Sequence, residues 1–154
     1  MITIEDFLRY SRQMMLPEIG ETGQKKLKNA RILIIGAGGL GCPILQYLST
    51  AGVGNIGVVD FDNIEMHNLH RQILYTEKNI GQAKVTTATS VAETLNPLVN
   101  FLPIEAKLTT ENATHNHYRR PAPTSHAARQ SSPACVPPAS NATVLGGIAL
   151  RAGD

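Results

Sequence analysis

Three glycines at a fixed spacing, Gly36, Gly38 and Gly41, point most directly to chemistry in this sequence. They follow a continuous aliphatic run at residues 31–35 and precede a segment whose apolar residues recur at helical spacing. Glycines in such a turn let backbone N–H groups approach phosphate oxygens, and the N-terminus of the following helix carries a partial positive charge. Because the pattern G-x-G-x-x-G lies between a predicted strand and a predicted helix, it predicts a nucleotide site, with a bare tight turn as the alternative.

An acidic residue ends the second predicted strand. Asp60 lies nineteen residues after Gly41, where a carboxylate accepts hydrogen bonds from ribose hydroxyls. We predict a ribose contact for Asp60 and a role in turning the following loop for Asp62. These features suit ATP and NAD equally, so they leave both nucleotides open.

Two basic residues beyond the second strand favour ATP. Arg71 lies in segment 68–72, and Lys84 opens the next predicted helix, so both are expected to reach a nucleotide on the glycine turn. Cleavage of ATP between its α and β phosphates leaves charge on pyrophosphate, which guanidinium and ammonium groups stabilise in the transition state. Hydride transfer has no such requirement. The alternative for each residue is a solvated surface charge.

The spacing of apolar residues predicts the elements that position these groups. Helices are expected over residues 3–15 and 21–28, from the glycine turn to Gly52, and over 82–95. At the start of the first helix, Thr3 and Asp6 resemble a capping box. Strands are expected at 31–35, 55–59 and 98–104, with an irregular polar connection at 63–80. This order predicts an α/β fold, a partial Rossmann-like doubly wound parallel sheet preceded by an N-terminal helical segment.

The composition changes after about residue 112. Residues 114–154 contain five prolines and keep no helical or alternating pattern except a weak apolar patch at 144–150. We therefore assign residues 1–112 to a nucleotide-binding domain and predict that 113–154 form a disordered tail, since such a segment buries too little apolar area to offset its ordering entropy. One hypothesis for the change is translation out of frame.

Composition excludes several classes of protein. The chain has 154 residues, 42% hydrophobic residues and a formal net charge of +2, which fits a globular protein and gives no reason to expect nucleic acid as a partner. No run of 18 apolar residues predicts a membrane span, and the acidic N-terminus does not resemble a signal peptide, so we expect a cytoplasmic protein. Cys42 and Cys135 form neither a disulfide framework nor a metal-ligand spacing.

Six motifs in order over ~110 residues resemble the ThiF/MoeB/HesA family, and this number makes chance similarity implausible. They are RYSRQ at 9–13 with LPEIG at 16–20 and GQKKL at 23–27, GAGGLG at 36–41, AGVG at 51–54, DFD at 60–62, NLHRQ at 68–72 and IGQAK at 80–84.

The resemblance implies an activity and its participants. Family members are related to ubiquitin-activating enzymes. They use ATP and magnesium to adenylate the C-terminal Gly-Gly carboxylate of a ubiquitin-like sulfur-carrier protein, in molybdopterin or thiamine biosynthesis. By the resemblance, phosphate is held by Gly39 and its neighbours, ribose by Asp60, and the triphosphate by Asn68, Arg71 and Lys84. The family is typically a homodimer, and Arg12 resembles the arginine that reaches into the partner subunit's site.

The sequence departs from the family beyond residue 113. The family's Asp-Asn pair, whose aspartate handles magnesium, has no counterpart, because the region from 114 contains no Asp before Asp154. The zinc-binding Cys-x-x-Cys pairs and the later reactive cysteine are also missing, and Cys42 is expected to pack as a small hydrophobe. We therefore predict no metal site and an adenylyltransferase fragment that binds ATP at most. The alternatives are an NAD-binding oxidoreductase fragment and a non-catalytic truncated subunit.

Overall fold

The computed structural model describes residues 1–109, 143–145 and 148–151. Its helices are α1 (Ile4–Met14), α2 (Gly20–Asn29), α3 (Gly41–Ala51) and α4 (Lys84–Leu95). Its strands are β1 (Arg31–Ile35), β2 (Asn55–Asp60), β3 (Asn100–Glu105), β4 (Thr143–Leu145) and β5 (Ile148–Arg151). Two short 3₁₀ helices, Met66–Asn68 and Glu77–Asn79, lie within the predicted polar connection.

The first three strands form a parallel sheet. β2 pairs in parallel with β1 on one side and with β3 on the other, and the full strand order is β3-β2-β1-β5-β4. Parallel strands have their carboxyl ends at one edge of the sheet, so the residues after β1 and the residues after β2 lie side by side. The predicted Rossmann-like α/β architecture is confirmed.

The predicted tail contributes two strands to this sheet. β5 pairs antiparallel with residues 31–34 of β1, and β4 pairs antiparallel with β5. Both segments lie within the region that the sequence predicts to be disordered, and they pair at the outer edge of β1, which offers unpaired backbone groups to a neighbouring strand. The rest of that region, including Cys135, lies outside the described residues.

The main core lies between the sheet and helices α3 and α4. Ile34 and Val58 point from the sheet into this core and meet Leu45 and Val85 from the two helices, and all four are almost completely buried. Side chains alternate along a strand, so Leu33 of β1 points to the opposite face, where it joins a smaller buried cluster with Val59. β1 is therefore buried on both faces, as its continuous aliphatic sequence predicts.

Helix α1 begins where its capping residues predict. The Thr3 hydroxyl accepts a hydrogen bond from the Asp6 backbone N–H at 3.2 Å, and an Asp6 carboxylate oxygen accepts one from the Thr3 N–H at 2.8 Å. This reciprocal pair satisfies two of the donors left unpaired at the helix start.

The buried carboxyl group of Asp6 also ties α1 to α2, since it forms an ion pair with the half-buried Lys28 ammonium. Burial raises the pKa of this carboxyl, but the hydrogen bonds from Lys28 and Thr3 together outweigh burial and hold the pKa below its ordinary value of 3.8. A pKa that is lower in the folded than in the unfolded chain adds stability above pH 3.8, and this stability is lost as the pH falls through the folded pKa.

We expect Asp6→Asn to lower the free energy of unfolding at pH 7 by about 1–3 kcal/mol, because the amide cannot replace a charged acceptor. The difference from the parent should shrink as the pH falls below 3.8 and the parent carboxyl becomes protonated. Urea unfolding of both proteins at a series of pH values from 7 downwards measures this difference in the free energy of unfolding. Glu5→Gln is the control, since Glu5 lies in the same helix turn but is exposed. A loss of equal size at every pH would contradict the electrostatic explanation.

Candidate functional site

The glycine loop, residues 36–41, connects β1 directly to α3. Gly36 has a φ of +89°, a conformation that side-chain-bearing residues rarely adopt. At Gly41, a Cβ would lie 1.8 Å from the carbonyl oxygen of Gly36, so only glycine lets α3 start against the end of the strand. Gly38 and Gly39 face another part of the chain. A Cβ at Gly38 would be 3.7 Å from the amide nitrogen of Gln72, and one at Gly39 would be 3.6 Å from the Arg71 side chain.

Ala37 is the fixed point of the loop. Its N–H donates to an Asp60 carboxylate oxygen at 2.6 Å. Its carbonyl accepts hydrogen bonds from the Tyr75 hydroxyl at 2.7 Å and from the Cys42 thiol at 3.3 Å. The loop conformation is therefore set by side chains from β2, from the connection after it and from α3.

Asp60 lies at the end of β2 beside the glycine loop, as its position in the sequence predicts. One carboxylate oxygen accepts from Ala37, and the other accepts from the Asp62 N–H at 2.8 Å. The carboxylate is thus a structural anchor of the loop, which the sequence did not indicate. Each carboxylate oxygen can accept a further hydrogen bond, and the ribose contact stays a prediction.

Arg71 lies over the glycine loop with its aliphatic stem beside Gly39. Its side chain is exposed, and its guanidinium donates to the His67 carbonyl at 3.0 Å and lies 3.4 Å from the His70 ring nitrogen. The structure therefore brings together Arg71 and the loop glycines, which are separated by about thirty residues of sequence. A contact with the triphosphate remains a prediction.

Lys84 is at the start of α4 and is nearly buried, with a side chain 7% exposed. Its ammonium group lies 2.9 Å from a carboxylate oxygen of Asp62, and its backbone N–H donates to the Asp62 carbonyl at 3.0 Å. Asp62 thus binds Lys84 in addition to turning the loop. An ammonium group has three donors, so this ion pair leaves two for a ligand.

Asn68 and Gln72 are buried members of the segment 68–72. The Asn68 side-chain oxygen accepts from the Glu65 N–H at 3.1 Å, so this residue closes its own turn, and its role at the triphosphate stays a prediction. Gln72 was not singled out from the sequence. Its side-chain oxygen has no hydrogen-bond partner among the described residues, and its amide nitrogen faces Gly38. Residue type and spacing did not reveal this burial.

The structure does not bring Arg12 to the glycine loop of its own chain. Arg12 is exposed on α1. This helix packs at the C-terminal ends of α3 and α4, where Arg9 donates a hydrogen bond to the Leu95 carbonyl and Gln13 donates one to the Ala51 carbonyl. The glycine loop is at the other end of α3, and an eleven-residue helix is about 16 Å long. This placement is compatible with a role in another subunit's site, which stays a prediction.

Cys42 is completely buried in the first turn of α3. Burial raises the pKa of its thiol, which keeps the group neutral and donating to the Ala37 carbonyl. The thiol therefore packs as the sequence predicts and is poorly suited to nucleophilic chemistry.

No group of three or more His, Cys, Asp or Glu side chains within the described ranges is placed to hold a metal ion. Beside the loop, the Asp60 carboxylate is bonded to two backbone amides and the Asp62 carboxylate is bonded to Lys84. Over the same ranges, no helix has the length and apolar character of a membrane span.

A parallel sheet with a glycine turn between its first strand and the next helix defines a Rossmann-like α/β protein. The ThiF family pattern matches residues 10–120, and the chain belongs to this family. The match extends past the boundary predicted at residue 112.

Two curated relatives match about seven tenths of this chain. The sulfur carrier protein adenylyltransferase of Thermus thermophilus is 50% identical over 111 residues, which is 72% of this chain and 41% of the relative. The adenylyltransferase and sulfurtransferase MOCS3 of Anopheles gambiae is 52% identical over 109 residues, 71% of this chain and 25% of the relative. The chain thus spans between a quarter and about two fifths of these relatives' lengths.

Solved structures with the same fold contain adenine nucleotides. The Escherichia coli tRNA N6-threonylcarbamoyladenosine dehydratase TcdA, solved with AMP, has a TM-score of 0.70 and 25% identity, over 74% of this chain and 46% of that one. Escherichia coli MccB, solved with ATP, has a TM-score of 0.59 and 33% identity, over 64% of this chain and 31% of that one.

Proposed function

We propose that this chain is the ATP-binding part of an adenylyltransferase, with the triphosphate on the glycine loop. The observation that carries the proposal is the position of Arg71 beside Gly39, on a loop whose conformation is fixed at Ala37. The loop amides and the N-terminus of α3 provide donors and partial positive charge for phosphate, and Arg71 adds a full positive charge above them.

The proposed reaction activates a carboxylate. A carboxylate oxygen of the substrate attacks the α-phosphorus of ATP, the bond from that phosphorus to the bridging oxygen breaks, and pyrophosphate leaves with its electron pair. The products are an acyl-adenylate and pyrophosphate. Arg71 and the two remaining donors of Lys84 stabilise the charge that develops on the leaving group.

The substrate class follows from the named relatives. Because the Thermus thermophilus relative is a sulfur carrier protein adenylyltransferase, we propose a sulfur carrier protein as the substrate of this chain. By the family resemblance, the acceptor is the C-terminal Gly-Gly carboxylate of a ubiquitin-like carrier in molybdopterin or thiamine biosynthesis. We also propose that the working unit is a homodimer in which Arg12 of each subunit serves the other subunit's site. The position of Arg12, remote from its own glycine loop, supports this arrangement.

Thermal unfolding of the full chain with ATP or with NAD tests the nucleotide. ATP at one hundred times its Kd adds about 2.7 kcal/mol to the stability of the folded state, enough to raise Tm by several degrees. We expect this rise with ATP and none with NAD. A rise with NAD alone would identify the chain as part of an oxidoreductase.

We expect Arg71→Ala to weaken ATP binding by about 10- to 100-fold, because it removes charge-assisted hydrogen bonds to phosphate. Calorimetric titration measures the change. The matched control is Arg31→Ala, which removes the same charge from the exposed opposite end of β1. Equal losses of affinity in the two variants would assign the effect to net charge instead of to a phosphate contact.

A further inference from the structure

Tyr75 is a buried residue that holds the glycine loop from the core side. It lies in the connection between β2 and α4, and its hydroxyl donates to the Ala37 carbonyl at 2.7 Å. The same hydroxyl lies 3.3 Å from the carbonyl of Lys84, the first residue of α4. Burial raises the pKa of Tyr75, so its hydroxyl remains a protonated donor at any working pH.

The geometry of the peptide group links this bond to the phosphate side of the loop. In a planar trans peptide, the C=O of one residue and the N–H of the next point in opposite directions. Tyr75 holds the Ala37 carbonyl towards the core, so the Gly38 N–H points away from the core. This N–H has no acceptor among the described residues.

Rotation of the Ala37–Gly38 peptide would reverse both groups. The carbonyl oxygen would then face outwards, where its negative partial charge repels phosphate, and it would lose its hydrogen bonds from Tyr75 and Cys42. Two donors, Tyr75 and Cys42, oppose this rotation by holding the Ala37 carbonyl. Of these two, the tyrosine hydroxyl makes the shorter bond and is the stronger donor.

We propose that Tyr75 is a positioning residue for phosphate binding, which orients the Gly38 N–H towards a phosphate oxygen of the nucleotide. This role rests on the proposed binding of ATP at the glycine loop. The same hydroxyl also lies 3.3 Å from the Lys84 carbonyl, so Tyr75 is beside the start of α4 as well as beside the loop.

Tyr75→Phe removes only the hydroxyl and keeps the packed ring. We expect the variant to bind ATP roughly fivefold more weakly, the effect of one lost neutral hydrogen bond, and to bind adenosine with unchanged affinity. A general loss of structure would weaken both ligands alike, so the split between them separates positioning from stability. The matched control is Tyr47→Phe, which removes a hydroxyl from an exposed tyrosine on α3.

Glycine-selective ¹⁵N labelling of the full chain gives a second readout. In the parent, ATP should shift the Gly38 amide resonance, and in Tyr75→Phe this shift should be reduced. If the parent binds ATP, and Tyr75→Phe has the same ATP affinity and the same Gly38 shift as the parent, the positioning role is overturned. The proposed function would still stand. Absence of ATP binding by the parent would overturn the proposed function and this role with it.

Discussion

Replacement of Gly41 by alanine is expected to lower the free energy of unfolding by about 3 kcal/mol or more and to abolish ATP binding. The added Cβ would overlap the carbonyl oxygen of Gly36, which is backbone and cannot rotate away as a side chain would. Relief of the overlap requires α3 to move away from the end of β1, and this movement displaces the loop that is proposed to hold phosphate.

Gly38→Ala is the matched control for this prediction. It makes the same chemical change within the same loop, but its Cβ would make only an ordinary contact with Gln72. We expect the control to unfold close to the parent in urea, with any effect confined to ATP affinity. Equal stability of Gly41→Ala and the parent would show that α3 can shift freely against β1 and would contradict the close approach described above.

Asp60→Asn is expected to lower the free energy of unfolding by about 2–4 kcal/mol and to weaken ATP binding. The parent carboxylate accepts from two backbone N–H groups, one on Ala37 and one on Asp62. An asparagine side chain has a single oxygen, so its NH₂ group would face one of these donors and leave it unpaired. The bond to Ala37 sets the loop conformation, and its loss should disturb phosphate binding as well as stability.

Urea unfolding and ATP titration of the same samples measure both effects. Glu105→Gln is the control, since Glu105 is exposed and pairs in register with Asp60 at the same edge of the sheet. If Asp60→Asn lost ATP affinity and kept the parent's stability, Asp60 would be a ribose ligand without a role as an anchor of the loop.

Much of the fold could be predicted because its determinants are local. The aliphatic residues of β1, the Thr3–Asp6 capping pair and Gly52 at the end of α3 each act on neighbours within one or two turns, so their patterns are legible in the sequence. The positions of the loop glycines follow for the same reason, since the need for glycine at Gly36 arises from the backbone within a single turn.

The tertiary structure decided which polar groups are engaged. Asp60 and Lys84 were predicted as nucleotide ligands from their positions, but only the packed sheet places Asp60 against the Ala37 N–H and Lys84 against Asp62. The positions of Tyr75 and Gln72 against the glycine loop were not predicted, because the loop lies more than thirty residues earlier in the chain.

The amino-acid sequence by itself therefore determined the order of strands and helices, the glycine loop and the family of this protein. The tertiary structure decided that Arg71 lies over the loop while Arg12 lies at the far end of α3, and that segments at 143–145 and 148–151 add to the sheet beside β1. The physical reason is the distance along the chain over which each interaction acts. Backbone conformation responds to nearby residues, whereas hydrogen bonds and ion pairs form between groups that only the packing of distant segments brings within about 3 Å.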